Sequence, residues 1–355
     1  MNYANYIARC IEIARRGEYF VAPNPMVGAV LVGKNGNILA EGWHEFYGGP
    51  HAEVNCFKHV DSMISDGFDF KDCTLFVSLE PCSHYGKTPP CAKLIIEKGV
   101  GCVVVGMLDP NPLVAGKGVQ MLREAGIEVT VGIMEAECRE LNKRFLCLHE
   151  KRRPYVILKW AQTRDGFLDT LRDCGGCDKE THLNGALAIS TEKTKKLVHK
   201  MRAENMAIMV GTRTVLLDNP RLLNTHWEGR NPIRVTLDRH HVIPQNARIF
   251  SDETDKTWQY GNTHEKTIVY RERTNWPFIL EDLANRGIHS ILVEGGSKLL
   301  NHILSSGIWD EIHVEVAPEL IIGSGVEAPT ISLPPDYEEV DGHKLFTIKN
   351  EVKFA

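Results

Sequence analysis

The 355-residue sequence contains no run of about 18 apolar residues, the length a membrane-spanning helix needs, so no membrane association is expected. Its opening stretch, MNYANYIARCIEIARRGEYF, interleaves charge with apolar side chains and lacks the hydrophobic centre of a secretory signal. Neither sign of charge predominates. Forty-one Lys and Arg face 46 Asp and Glu, for a formal net charge of −5, and no basic stripe suggests a nucleic-acid partner. There is no internal repeat, no low-complexity stretch, and no Gly-x-Gly-x-x-Gly after an early strand, which argues against a Rossmann dinucleotide site. What remains is a cytoplasmic globular protein, 43% hydrophobic and long enough for two cores.

Ten cysteines are scattered along the chain. In a chain of this size, reduced thiols and one metal site are expected rather than a disulfide framework. Cys10, Cys56, Cys102 and Cys147 lie in apolar-periodic segments and read as core fillers. Cys174-Gly175-Gly176-Cys177 sits in a polar insertion and, lacking a second pair, reads as a loop without chemistry.

Apolar residues at helical spacing (Ala4, Ile7, Ala8, Ile11, Ala14) predict a first helix. Strands are expected at 27–32, 74–79, 100–107 and 128–131, alternating with helices at 52–59, 92–98 and 118–125. One long helix over 135–149 leads to the basic tether Lys151-Arg152-Arg153-Pro154. The pattern restarts beyond it with strands at 155–160, 207–210, 233–237, 266–270, 290–293 and 311–316. Helices are expected there at 192–204, 281–286 and 298–305. Both halves therefore read as α/β layers: residues 1–148, a tether over 149–153, and residues 154–355.

His51-Ala52-Glu53, then Pro81-Cys82, then Cys91 follow the order in which zinc deaminases assemble a metal site. One imidazole and two thiolates suit Zn²⁺, and three protein ligands leave a fourth position for water. One zinc per chain is expected on His51, Cys82 and Cys91. Cys91 opens a predicted helix, whose positive end favours the thiolate. Glu53 is placed to carry a proton from the attacking water to the departing amine without ligating the metal. Taken singly, the same residues read as a helix-cap histidine and buried thiols; their order and their positions at element boundaries favour the metal site.

PNPMVGAV over 23–30, His51-Ala52-Glu53 and LEPCSHYGKTPPC over 79–91 together resemble the bifunctional deaminase/reductase family of riboflavin biosynthesis. DPNPLVAGKG over 109–118 extends the likeness, and eight residues between Cys82 and Cys91 are a mark of that family. The resemblance implies a cytidine-deaminase-like three-layer domain. It also implies a substrate, 2,5-diamino-6-ribosylamino-4(3H)-pyrimidinone 5′-phosphate, whose ring amine leaves as ammonia. Asn24 would address the pyrimidine edge, and His84 and Lys87 the sugar and phosphate. His44 reads equally as a substrate contact or a strand-end histidine, Lys87 also as a solvated loop residue, and Asp109 and Asn111 as turn-formers.

In the second half, LKWAQTRDG over 158–166, HKMRAE over 199–204, GTRTVLLDNP over 211–220, ILVEGGSK over 291–298 and VAPELI over 316–321 are similar to the reductase half of the same family. The likeness implies a dihydrofolate-reductase-like α/β domain that uses NADPH to reduce the ribosyl chain to ribityl. By matching position, Ala161, Thr214, Asp218 and Gly296, Ser297, Lys298, Leu299 and Leu300 would meet the cofactor. Arg202, Leu222 and Glu294 would face substrate, with Arg202 as a fork for its phosphate. Lys159 would act in catalysis on oxyanion or imine intermediates, or else serve as a structural ion-pair partner. The chain departs from the family pattern at Thr163-Arg164, at Ala188 where a tryptophan is usual, and at Thr225 where an arginine is usual. A deaminase with a non-catalytic or impaired second domain is the alternative those departures keep open. A small phosphorylated pyrimidine is the expected partner, and a homo-oligomer the expected assembly.

Overall fold

The computed structural model describes residues 2–63, 68–84, 89–111, 115–172, 186–251, 265–272 and 274–350. It divides into two compact units, Met1–Arg152 and Arg153–Ala355. The first contains α1 (Tyr3–Ala14), β1 (Gly28–Val32), β2 (Ile38–Trp43), α2 (Ala52–Met63), β3 (Thr74–Leu79) and α3 (Cys91–Lys98). It continues with β4 (Cys102–Met107), α4 (Lys117–Glu124), β5 (Glu128–Val131), α5 (Glu135–Leu141) and α6 (Lys143–Lys151). Five strands form one sheet in the order β2-β1-β3-β4-β5. The pairs β3·β4 and β4·β5 are parallel, and β1 runs antiparallel to both of its neighbours.

Both faces of this sheet are covered, which explains strands that are apolar at nearly every position. Alternation within them assigns the two layers. Ala29, Leu31, Leu75, Val77, Val103 and Val105 pack with Ala52, Cys56 and Phe57 of α2, Ala92 and Ile95 of α3, and Val119 and Leu122 of α4. Val30, Val32, Phe76 and Val104 point the other way, against Ile7, Cys10 and Ile13 of α1, Cys138 of α5 and Leu146 of α6. Three layers result, with the helices that carry the zinc motif all on one side.

The helix expected over 135–149 is broken at Asn142. Its side-chain amide pairs with the backbone of Met26, accepting from N–H at 2.8 Å and donating to the carbonyl at 2.9 Å. A long-range contact thus overrides a continuous helical pattern. Strand β2 was not expected from its sequence, because Ala40, Glu41 and Gly42 blur the alternation.

The second unit contains β6 (Tyr155–Thr163), β7 (Phe167–Asp169), α7 (Glu192–Glu204), β8 (Ala207–Val210), α8 (Thr212–Asp218), β9 (Ile233–Leu237) and β10 (Thr267–Tyr270). There follow α9 (Trp276–Asn285), β11 (Ser290–Gly295), α10 (Ser297–Ser306), β12 (Glu311–Ala317), β13 (Val326–Glu327), β14 (Glu338–Val340) and β15 (His343–Lys349). Eight strands lie in the order β10-β9-β8-β11-β6-β12-β15-β14. They are parallel from β10 to β12, and β15 and β14 close the edge antiparallel. Helix α9 starts earlier than expected: Asn275 caps it and Pro277 occupies the first turn, where a missing N–H breaks no helical bond. Helix α8 and the hairpin β14–β15 are additions to the sequence-based reading.

Candidate functional site

In the first unit, strand β3 ends at Leu79, and the chain turns through Glu80 and Pro81 to deliver Cys82. Buried Glu80 fixes that turn by accepting the backbone N–H groups of Asp109, Gly116 and Val119 at 3.1, 2.9 and 3.1 Å. Gly118 lies so close that a Cβ there would meet the Pro81 carbonyl oxygen at 2.0 Å. Asp109 itself accepts from the N–H of Asn111 at 2.8 Å, so it forms a turn, as its sequence suggested. Pro90 holds extended backbone, and α3 therefore begins at Cys91.

Three ligand atoms converge here. The nitrogen Nδ1 of His51 lies 3.6 Å from Cys82 Sγ and 3.4 Å from Cys91 Sγ, and all three atoms fall within 4.8 Å of one another. Tetrahedral zinc, with Zn–S near 2.3 Å and Zn–N near 2.0 Å, spaces its ligands roughly 3.5–3.8 Å apart. The donor set and its spacing fit the ion. Among the described residues no other cluster of three such groups occurs. The Cys82 thiol is pushed down to about 4 by the sulfur hydrogen bond from Cys91, with His51 and the Cys91 N–H (3.2 Å) adding to it. One negative sulfur is thus favoured before any metal binds.

Glu53, 3% exposed in the first turn of α2, faces this cluster. Burial pushes its carboxyl up, Cys82 adds to the rise, and His51 opposes it. Exposure falls from His51 (exposed) through Cys82 (half-buried) to Cys91 (buried), so the site opens on the imidazole side.

Asn24 and His44 stand beside it. The His44 ring lies edge-on to His51, with centroids 5.7 Å apart. Burial pushes His44 down, keeping it neutral. Its Nδ1 must donate to the Pro50 carbonyl (2.9 Å), so Nε2 accepts from the Asn24 amide (3.0 Å). Both ring nitrogens are therefore engaged within the protein. His44 orients Asn24 rather than offering a free group, and it leaves the Asn24 carbonyl oxygen as an acceptor. His84 is exposed next to the ligand loop, and Lys87 lies outside the described residues, as do Cys174 and Cys177.

In the second unit, polar groups gather on one face of the central strand β6. Lys159 lies there, half-buried, with Glu294 on β11 to one side and Glu315 on β12 to the other. The fork of Arg202 closes on Glu294 at 2.7 and 2.6 Å, and its remaining nitrogen donates to the Leu223 carbonyl at 3.0 Å. The fork expected to address a phosphate is here closed on a carboxylate 92 residues away in sequence. The contact to Leu223 also anchors a strained segment, since Leu222 is buried at φ 56°.

Gly296 (φ 82°) turns the chain from β11 into α10, and a Cβ on it would press to 3.3 Å from the Thr214 hydroxyl. Thr214, Gly296 and the start of α10 (Ser297, Lys298, Leu299, Leu300) thus come together, with helix-start N–H groups suited to an anion such as a dinucleotide phosphate. Leu300 packs into the core, whereas Ala161 lies on β6, two residues from Lys159. Asp218 accepts from Arg172 at 2.6 Å.

Sequence reasoning did not single out His199, Ser190, Glu315 or His343. The unusual Thr225 donates its backbone N–H to His199 Nδ1 at 3.1 Å, and His199 Nε2 lies 3.1 Å from His226 Nδ1. Burial, with Arg202 and His226 after it, lowers His199 to about 4. An unfolded histidine takes up its proton near pH 6.5. His199 therefore contributes stability that is complete above about pH 6.5 and is lost as pH falls toward 4. The thermal midpoint of the second unit is expected to drop between pH 7 and 5, and to drop less in His199→Asn, which keeps an acceptor for Thr225. Equal drops in the two proteins would contradict this.

Comparison with known proteins places both halves. Residues 154–353 match the family model described as the RibD C-terminal domain, and residues 1–107 match the cytidine and deoxycytidylate deaminase zinc-binding region. The chain is 39% identical over 333 residues to the riboflavin biosynthesis protein RibD of Aquifex aeolicus, covering 91% of this chain and 88% of that one. It is 36% identical over 345 residues to RibD of Actinobacillus pleuropneumoniae, covering 93% and 87%. The crystal structure of the Thermotoga maritima diaminohydroxyphosphoribosylaminopyrimidine deaminase/5-amino-6-(5-phosphoribosylamino)uracil reductase aligns with TM-score 0.81 at 37% identity, covering 98% of each chain. One form of Acinetobacter baumannii RibD aligns with TM-score 0.83 at 31% identity, again covering 98% of each chain. Among the described residues no helix is long and apolar enough to cross a membrane.

Proposed function

The chain belongs to the RibD family of bifunctional riboflavin-biosynthesis enzymes, and on that premise we propose which residues carry its two reactions, a deamination followed by a reduction. The observation that carries the reading is the convergence of His51, Cys82 and Cys91 with buried Glu53 facing them.

In the first unit His51, Cys82 and Cys91 would hold zinc, which when bound would act as the Lewis acid that makes water nucleophilic near neutral pH. Glu53 takes a proton from the attacking water and gives it to the departing ring amine, so that carbon gains oxygen and ammonia leaves. The Asn24 carbonyl oxygen accepts from a pyrimidine N–H, in the orientation His44 imposes. His84 and Lys87 address the ribose phosphate of 2,5-diamino-6-ribosylamino-4(3H)-pyrimidinone 5′-phosphate.

In the second unit Ala161, Thr214, Asp218 and the segment Gly296–Leu300 would hold NADPH, which when bound would supply the hydride that reduces C1′ of the opened ribose to the ribityl chain. Leu222, Arg202 and Glu294 wall the substrate side, and the Lys159 ammonium faces the oxygen or nitrogen on which charge develops. Arg202 acts here through its ion pair rather than as an open fork. Assembly as a homo-oligomer and a cytoplasmic setting belong to the same proposal.

One preparation tests both steps. Purified protein is expected to carry about one zinc per chain, to release ammonia from the pyrimidine substrate, and then to oxidise NADPH only when the deaminated product is present. Ammonia release with a flat NADPH absorbance would confine activity to the first unit. Undiminished deamination after complete zinc removal would overturn the first site.

A further inference from the structure

Strand β6 has carboxylates on both sides of Lys159. On one flank Val293 of β11 pairs with Leu158, and Glu294, the next residue along β11, is a charged neighbour of Lys159. On the other flank, β12 pairs His313 with Lys159 and Glu315 with Ala161, so Glu315 sits diagonally across on the same face. Neither carboxylate accepts a hydrogen bond from Lys159 Nζ in this arrangement. Among the described residues, the ammonium is flanked by a carboxylate on each side.

The two carboxylates are not equivalent. Glu294 is neutralised by the two-bond fork of Arg202. Glu315, 3% exposed, accepts from the Ser190 hydroxyl at 2.6 Å and from His343 Nδ1 at 2.8 Å. Ser190 is neutral, so the carboxylate is oriented there without being cancelled by a permanent cation. Its other close charged neighbour is Lys159.

We propose that Glu315 is a positioning residue of the second site: its carboxylate, fixed by Ser190 and His343, is the uncancelled negative charge that keeps the Lys159 side chain an ammonium aimed at the substrate. The inference rests on the assignment of Lys159 to the reductase reaction. It adds a residue from β12 whose partners come from the entry to α7 (Ser190) and from the neighbouring antiparallel strand β15 (His343). The charged groups bearing on Lys159 are Glu294, Glu315 and Arg202. His313 on the same strand turns to Glu311 at 3.3 Å and to Thr347 at 3.3 Å.

The test is Glu315→Gln in the full-length protein, which keeps shape and removes charge. Trace labelling with acetic anhydride, read by mass spectrometry on the peptide containing Lys159, reports the pH at which that amine loses its proton. An opposite charge within about 4–6 Å is worth about 1–3 pH units. The labelling midpoint is therefore expected to fall by at least about one unit in Glu315→Gln and to stay nearer wild type in Glu315→Asp, which retains the charge. The alkaline limb of reductase kcat/KM is expected to move with it. An unmoved midpoint in a folded Glu315→Gln protein overturns the proposal, and so does a loss of activity that is uniform across pH. Should Glu315→Gln fail to fold, Glu315→Asp decides alone: drawing the charge back by one methylene should give a smaller shift in the same direction, and no shift overturns the proposal. A shifted midpoint combined with full reductase activity in Lys159→Met would support the role of Glu315 in holding the ammonium while removing Lys159 from the reaction.

Discussion

Replacing Glu53 by Gln is expected to lower ammonia release by roughly 10²–10⁴-fold, the range typical of a positioned general acid–base group, while zinc content stays near one per chain. The amide fills the same volume in the first turn of α2 but cannot take a proton from water or deliver one to the amine. None of the three ligands is altered, so metal binding should survive. Metal analysis and ammonia assay on the same sample separate this result from collapse of the site. Cys91→Ser provides the contrast, because it should lose zinc together with activity. Wild-type turnover by Glu53→Gln would remove the residue from the reaction.

A comparably large effect, on stability this time, is expected at Arg202. Its side chain and that of Glu294 are 17% and 11% exposed, and they are joined by two hydrogen bonds. Removing one member strands a buried charge, which costs about 3–5 kcal/mol. Arg202→Met should therefore destabilise the second unit by that amount and release the Leu222–Leu223 segment, taking reductase activity with it. Arg202→Met combined with Glu294→Gln removes both charges and should recover much of the stability without recovering activity. Five of the six tryptophans lie beyond residue 152, so denaturant titration followed by tryptophan fluorescence reports chiefly on this unit. A double variant no more stable than the single one would show that the pair contributes through packing rather than charge.

How much of this was legible in the sequence depended on how locally each feature is encoded. The cluster of His51, Cys82 and Cys91 was readable because metal chemistry restricts residue type at each position, and each of the three sits at the boundary of an element whose own pattern is clear. The layered sheets were readable from apolar runs separated by helical periods. Long-range pairing was not. Nothing near Arg202 announces that its fork belongs to Glu294, and nothing near Asn142 announces Met26. Glu315 escaped for the same reason: its partner His343 sits on a strand whose short, mixed sequence (HKLFTIK) carries little periodic signal. His44 was half legible. Its sequence left a substrate contact and a strand-end histidine equally open, and nothing near it announces the hydrogen bond to the Pro50 carbonyl.

The three backbone bonds collected by Glu80, and the contact of Gly118 with Pro81, bear on any attempt to graft this chemistry onto another scaffold. Copying the imidazole, the two thiols and the glutamate would transplant the donors without the brace that aims Cys82. The smallest portable piece runs from His51 to Val119, and its closing residues Gly116, Gly118 and Val119 are none that a search for metal ligands would choose.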